Sequence, residues 1–211
     1  MAVTFTAREI SAKYDRFARW FDLVEGIPDL LGVRKLRKRI LPQASGEVLE
    51  VAVGTGKNLH YYPERCRIIG VDISREMLSV GRKRAAKLFI NVSLSLADAE
   101  ALPFPDKTFD TVVSTLTMCT FPDPVNALKE MARVCRPGGR VLLIEHGRSD
   151  RAGPGRWQDR HADNFASRLG CHWNREPLEL VREAGLHIIT ARRNFFGVFH
   201  EIEAAPGFHE I

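Results

Sequence analysis

From residue 47 onward short apolar runs alternate with longer amphipathic ones, and this rhythm constrains the fold more than any other feature of the 211-residue chain. "EVLEVAV" (47–53), "RIIGVDI" (67–73), "NVSLSLAD" (91–98), "FDTVVSTLT" (109–117) and "RVLLIEHG" (140–147) read as strands. Between them "KNLHYY" opens a helix and "SREMLSVGRKRAAK" (74–87) is a helix capped by Ser74. "PVNALKEMARVC" (124–135) is a helix stopped by the turn "RPGG". Strand–helix alternation implies a parallel sheet with helices on both faces. Residues 155–184 read as helical with an irregular middle. "LHIITARRNF" and "GVFHEIEAA" read as two last strands turned tightly at Gly197, hence antiparallel.

Before the rhythm starts, residues 8–24 carry Ile10, Tyr14, Phe17 and Phe21 at helical spacing, and "IPDLLGVRKLRKRILPQ" is a second helix broken by Pro42. The apolar content of 45% fills a sizeable core, and every apolar run falls far short of the ~18 residues that cross a bilayer. The first residues, "MAVTFTAREISAKYDRF", lack the apolar stretch of a secretion signal. Four cysteines without a Cys-x-x-Cys pair fit a reducing cytoplasm better than a disulfide framework. A net charge of +5 points only weakly to an anionic partner.

Ligands of parallel sheets bind at the carboxyl ends of the strands, so the strand tips are the places to search. "VGTGKN" follows the first strand. A phosphate-binding P-loop needs Gly-x-x-x-x-Gly-Lys-Ser/Thr, but Asn58 follows Lys57 and the glycine spacing is wrong. A dinucleotide fingerprint needs a third glycine where this chain has Leu59. The glycines still bare the backbone for a close ligand. Glu50 lies on the strand before them. Asp72 ends the second strand, where a carboxylate can take both hydroxyls of a ribose. Asp98, read either as an adenine acceptor or as a turn residue, ends the third, and Ala99 offers a backbone N–H. Together these tips describe an adenosine site without a phosphate cradle.

"LEVAVGTG", "GVDIS", "ADAEALPFPDKTFDTVVSTLTMCTFPDP" and "EMARVCRPGGRVLLIEH" resemble, in order and spacing over about residues 47–147, the motifs of class I S-adenosylmethionine-dependent methyltransferases. The resemblance is strongest to the quinone-biosynthesis C-methyltransferases and the bacterial phospholipid N-methyltransferases. "GCHWNREPLELVREAG", "NLHYYPERCR" and "TLTMCTF" resemble, more loosely, the alkyl-thiol methyltransferases. The resemblance implies an α/β fold with a Rossmann-like, doubly wound, seven-stranded sheet, mostly parallel with an antiparallel final strand. It implies a helical lid over residues 1–45 and a cofactor-binding domain over 46–211. It implies S-adenosylmethionine as cofactor, with S-adenosylhomocysteine as product. Glu50, Gly54, Thr55 and Gly56, with Asn58 beside them, would hold the methionine part of the cofactor, Asp72 the ribose, and Ile73 and Met77 the adenine face. Asp98 and Ala99 would flank the adenine edge, Leu116 would lie under the sulfonium, and Tyr14 matches the lid tyrosine. Where this chain has Ala52 the family usually has glycine, so a small shift of backbone or ligand is expected there.

Displacement at a sulfonium needs alignment and exclusion of water. A hydroxyl acceptor needs a base; a thiol or an amine does not. His146, His172, His161 and Asp163 are the base candidates, and His146 and His172 are read equally as packed histidines. Cys119 and Cys171 read as small pocket or core residues without metal-ligand spacing to a histidine, so no metal is expected. Tyr14, Phe17, Trp20 and Phe21 are either a lid over the acceptor or core. "RKLRKRI" (34–40) is either a solvated face or a basic amphipathic contact with anionic membrane. The expected function is methyl transfer to a small, partly apolar acceptor: a thiol, a lipid amine or a quinone-type carbon. The alternatives are an RNA- or DNA-modifying methyltransferase and a cofactor-binding protein without turnover. Nucleic acid is disfavoured because "STLTMC" stands where base-amino methylators carry Asn/Asp-Pro-Pro-aromatic. The expected location is cytoplasmic, with peripheral membrane contact as an option.

Overall fold

The structure, a computed structural model, describes residues 4–24 and 26–207. Seven strands form one sheet: β1 (Glu47–Val51), β2 (Arg67–Asp72), β3 (Val92–Leu96), β4 (Phe109–Thr115), β5 (Cys135–His146), β6 (His187–Asn194) and β7 (Phe199–Ala205), in the order β3-β2-β1-β4-β5-β7-β6. The pairings among the first five strands are parallel, and β7 runs antiparallel to both β5 and β6. The chain direction across the sheet reverses between β1 and β4, which places the ligand crevice at their carboxyl ends.

The helices are α1 (Ala7–Val24), α2 (Gly26–Pro28), α3 (Arg34–Ile40), α4 (Arg75–Lys87), α5 (Pro124–Val134), α6 (Ala152–Leu169) and α7 (Pro177–Glu183). Period-two alternation along the strands sorts the core into two layers. Val48, Ile68, Val113, Leu142 and Ile144 face Leu36, Ile40 and Leu78 of α3 and α4. Leu49, Val51, Val112, Val141 and Leu143 face Leu128, Met131 and Val181 of α5 and α7. Each of these fully buried aliphatic chains contributes about 1.5–3 kcal/mol. Ser74 caps α4 by accepting from the Met77 N–H at 3.1 Å, as its position in the sequence implies.

Three local readings need correction. "KNLHYY" forms a single 3-10 turn over Leu59–Tyr61, because Pro63 and only ten residues before β2 leave no room for a helix. "RPGG" is not a turn outside the sheet: β5 already begins at Cys135, paired with Phe109, and Gly138 at φ +79° takes up a register shift before Arg140 meets Thr111. The segment after α1 is not one helix. A π-helical turn (Asp29–Val33) joins α2 to α3, broken at Gly32 with φ +123°.

Strand β1 ends one residue before Ala52, which sits in the left-handed region at φ +53°. That conformation disfavours a side chain with a Cβ and suits glycine, the residue that the family resemblance implies for this position. Ala52→Gly should therefore raise stability in urea unfolding by up to about 1 kcal/mol. A loss of stability of that size would show that the Ala52 methyl packs more than it strains.

Candidate functional site

An open-mouthed cavity lies at the carboxyl ends of β1 to β4, under α1. Period-two alternation turns Glu50 to the α3 side of the sheet, where the 3-10 turn delivers Asn58 and Tyr62. The buried carboxylate accepts from Asn58 Nδ2 at 2.8 Å and from the Tyr62 hydroxyl at 2.9 Å. Burial outweighs these bonds and pushes Glu50 up to about 7. Asn58 also donates to Thr115 Oγ1 at 2.9 Å and accepts from Arg37 Nε at 2.9 Å. Arg37 in turn pairs with Asp29, which takes Lys57 Nζ at 2.7 Å.

At the tip of β2 the Asp72 carboxylate accepts the Gly54 N–H at 2.8 Å on one oxygen and the Ser74 N–H at 2.9 Å on the other. Burial raises it to about 6. A carboxylate has about four acceptor sites, so two remain for hydroxyl donors. Gly54 is left-handed, and a Cβ there would meet nothing nearer than Met77 Cε at 3.6 Å, a methyl that also lines the cavity. The backbone is therefore bare on the ligand side. Asp98 lines the cavity with Ala99 and also holds its own turn by accepting the Glu100 N–H at 2.9 Å.

Tyr14, Ile73, Thr55 and Leu116 also line the cavity. Gly56 does not. A Cβ on it would stand 2.8 Å from Leu59 Cδ1, so its bareness serves packing against the residue that replaces the dinucleotide glycine. Leu116 stands at φ +58°, a strained conformation at the tip of β4. The loop after it is clamped from two sides. Buried Glu145 accepts the Thr117 and Met118 N–H groups at 3.0 and 3.2 Å, and Arg175 donates to the Met118 and Phe121 carbonyls.

Helix α1 closes the cavity through polar contacts. Ser11 donates to the Ile73 carbonyl at 3.0 Å, and Ser74 Oγ donates to Asp15 at 2.6 Å. Thr55 Oγ1 donates to Asp22 at 2.6 Å, and Arg84 pairs with the same aspartate. Tyr14 and Phe21 face the cavity, whereas Trp20 is 66% exposed. A second cavity between α1 and α6 shares Tyr14 and Phe21 with the first and adds Phe17, Leu169, Cys171, Lys13, Arg16 and Arg168.

Neither His146 nor His172 lines either cavity. His146 Nε2 lies 3.5 Å from Cys171 Sγ, and the His172 N–H donates to the Cys119 carbonyl at 2.8 Å. Neighbouring Cys119 and His146 hold the Cys171 thiol well below the usual thiol range. The sequence reading, that neither cysteine has metal-ligand spacing to a histidine, did not register this contact. The partners come from three separate elements, which no local spacing motif registers. Asp15, Asp22, Arg37 and Arg175 were also missed. Arg37 is 2% exposed although "RKLRKRI" reads as a solvated face or a basic amphipathic contact, and its place among Val33, Leu36 and Ile40 was the available signal.

Residues 49–143 match the family described as a methyltransferase domain. The chain is 40% identical to a phosphatidylethanolamine N-methyltransferase of Cereibacter sphaeroides, over 60% of this chain and 63% of that protein. It is 34% identical to a ubiquinone/menaquinone biosynthesis C-methyltransferase of Pseudomonas fluorescens, over 76% of this chain and 64% of that one. Residues 49–143 thus carry the likeness to a methyltransferase domain that the motifs imply. The match spans less than two thirds of the length of either relative. The fold also matches a Thermotoga maritima structure described as a SAM-dependent methyltransferase, possible histamine N-methyltransferase, with a TM-score of 0.70 and 23% identity over 92% of this chain and 99% of that one. The cofactor of a methyltransferase of this class is S-adenosylmethionine. The buried carboxylates Glu50 and Asp72 and the bare Gly54 backbone of this chain have the donor and acceptor chemistry to suit its methionine and adenosine parts.

The raised Glu50 carboxyl makes stability depend on pH. The folded state keeps its proton up to about 7 and the unfolded chain loses it near 4.5, so the contribution of Glu50 to stability is fully present below 4.5 and is lost as pH climbs through 7. Glu50→Gln, which mimics the protonated form, should exceed the native chain in stability at pH 8 by on the order of 1–3 kcal/mol. That gap should shrink toward pH 4.5 in urea unfolding. A gap independent of pH would mean that Glu50 titrates like an ordinary carboxylate.

Proposed function

We propose that this methyltransferase transfers the methyl group of S-adenosylmethionine to a small, partly apolar acceptor, a thiol, a lipid amine or a quinone-type carbon. The observation that carries the reading is the pair of adjoining cavities, one with carboxylates at the strand tips and one with aromatic walls, separated by Tyr14 and Phe21. When bound, the cofactor supplies a methyl group already activated by the sulfonium charge.

Asp72 would take the ribose hydroxyls on its two remaining acceptor sites. Asp98 and Ala99 would meet the adenine edge, Ile73 and Met77 its face. Glu50, Ala52, Gly54, Thr55 and Asn58 would hold the methionine part, and Arg37 and Lys57 bring cationic groups to the same end. Leu116, fixed by the clamped loop behind it, would set the position of the reacting centre. Tyr14 and Phe21 would exclude water while the residues of α1 stay latched. This supports reading α1, within the expected lid of residues 1–45, as the cover, with α3 packed into the domain it covers.

The surface around the lid favours acceptors delivered from a lipid surface. Trp20, Leu23, Ile27 and Leu30 are exposed by 61–89%, and the exposed Arg34, Lys35, Lys38 and Arg39 stand on the adjoining α3. Such a surface suits anionic membrane. Among the described residues no helix is long and apolar enough to cross a membrane.

Asp72→Ala should weaken S-adenosylhomocysteine binding in calorimetry by about 1–3 kcal/mol, with Asp72→Asn in between. Unchanged affinity in both folded variants would remove Asp72 from the ribose site. A panel of an alkyl thiol, phosphatidylethanolamine vesicles, a demethylated quinone and bulk tRNA, read as methyl incorporation, tests the acceptor. Incorporation into one of the first three supports the reading, and labelling of tRNA alone overturns it. Vesicle binding should require anionic lipid and fall with added salt.

A further inference from the structure

At the edge of the second cavity three metal-ligating groups converge. Cys119 comes from the loop after β4, His146 from the end of β5 and Cys171 from the first residue after the Gly170 cap of α6. Their ligand atoms, two Sγ and one imidazole nitrogen, all lie within 4.8 Å of one another. Cys171 Sγ is 3.5 Å from His146 Nε2. A tetrahedral zinc ion, with Zn–S of about 2.3 Å and Zn–N of about 2.0 Å, sets its ligand atoms about 3.5–3.8 Å apart. The observed cluster is close to that size with no ion in it.

The surroundings suit an ion as well. The Trp173 backbone stands beside the His146 ring, where it can give the kind of outer support that fixes ring orientation in metal sites. Two thiolates would balance the charge of a divalent ion. The same loop that carries Cys119 is held by Glu145 and Arg175, so the cluster is built on fixed supports.

We propose that Cys119, His146 and Cys171 form a zinc site with three protein ligands. Among the described residues no fourth cysteine, histidine or carboxylate joins them. Cys171 also lines the second cavity, so the remaining coordination position is reached from there by water or by a ligand. Thiolate and imidazole donors select zinc over magnesium or calcium. Binding releases the thiol protons and joins the β4 loop, β5 and the segment after α6 through one ion.

The test uses the full chain, purified under a phosphine reductant and dialysed against zinc and then against metal-free buffer. Elemental analysis should find one zinc per chain. Cobalt in its place should give thiolate-to-cobalt charge-transfer absorption and the visible bands of a tetrahedral ion. Cys119→Ser and Cys171→Ser should each lower retention at least tenfold, while Cys66→Ser, a buried cysteine elsewhere, should leave it unchanged. Calorimetry with S-adenosylhomocysteine identifies the variants that remain folded. The native chain retaining no zinc and showing no cobalt bands would overturn the site. So would metal retention unaffected by both cysteine variants, or a Cys119–Cys171 disulfide persisting under reductant, seen as a mass deficit of two hydrogens.

Discussion

Each oxygen of the Asp72 carboxylate takes one backbone N–H, from Gly54 before it in the chain and from Ser74 after it. These two bonds fix the glycine loop of β1 against the start of α4. Ser74 then caps α4 with its hydroxyl and donates the same hydroxyl to Asp15 of α1. One strand-tip side chain thus sets the floor of the cavity, the helix beside it and, through Ser74, the seat of the helix above. Burying a carboxylate is costly, and Asp72 carries that cost, its carboxyl raised to about 6. A group kept in water would have ended β2 more cheaply, but it would have left two N–H groups beneath the cavity without acceptors.

Glu50 repeats the pattern one strand over. It sits in the sheet interior because alternation leaves it no other face, and its acceptors are met by Asn58 and Tyr62 from the turn that follows the glycines. The chain of contacts continues through Arg37 to Asp29 and Lys57. The segment that reads as a charged surface helix is therefore half inside. Arg37, Leu36 and Ile40 enter the core, and Arg34, Lys35, Lys38 and Arg39 stay in water.

The strand–helix rhythm made the sheet and its crevice legible, because apolar alternation and turn residues act locally and the crossover rules do the rest. Asp72, Gly54 and Met77 could be placed because each stands at a strand tip or helix start. What escaped was set by tertiary approach. "KNLHYY" has the composition of a helix start but lies too close to β2 to become one. Gly56 has the look of a ligand glycine but makes room for Leu59. Cys119, His146 and Cys171 are far apart in the chain, and only the folded sheet brings them together.

The way α1 is attached bears on how ligands come and go. Its ties to the cavity rim are hydrogen bonds and one ion pair, made by Ser11, Asp15 and Asp22. Water can replace such bonds at a net cost of about 0.5–1.5 kcal/mol each. The layer beneath is held by fully buried aliphatic side chains of β1, β2 and α4, whose exposure costs more per residue. Lifting α1 therefore costs a small part of what unfolding the sheet would. Ile10 and Ala18 are the buried apolar residues that keep α1 seated when the polar ties break. A cover fastened mainly by bonds that water can replace separates access to the site from stability of the fold.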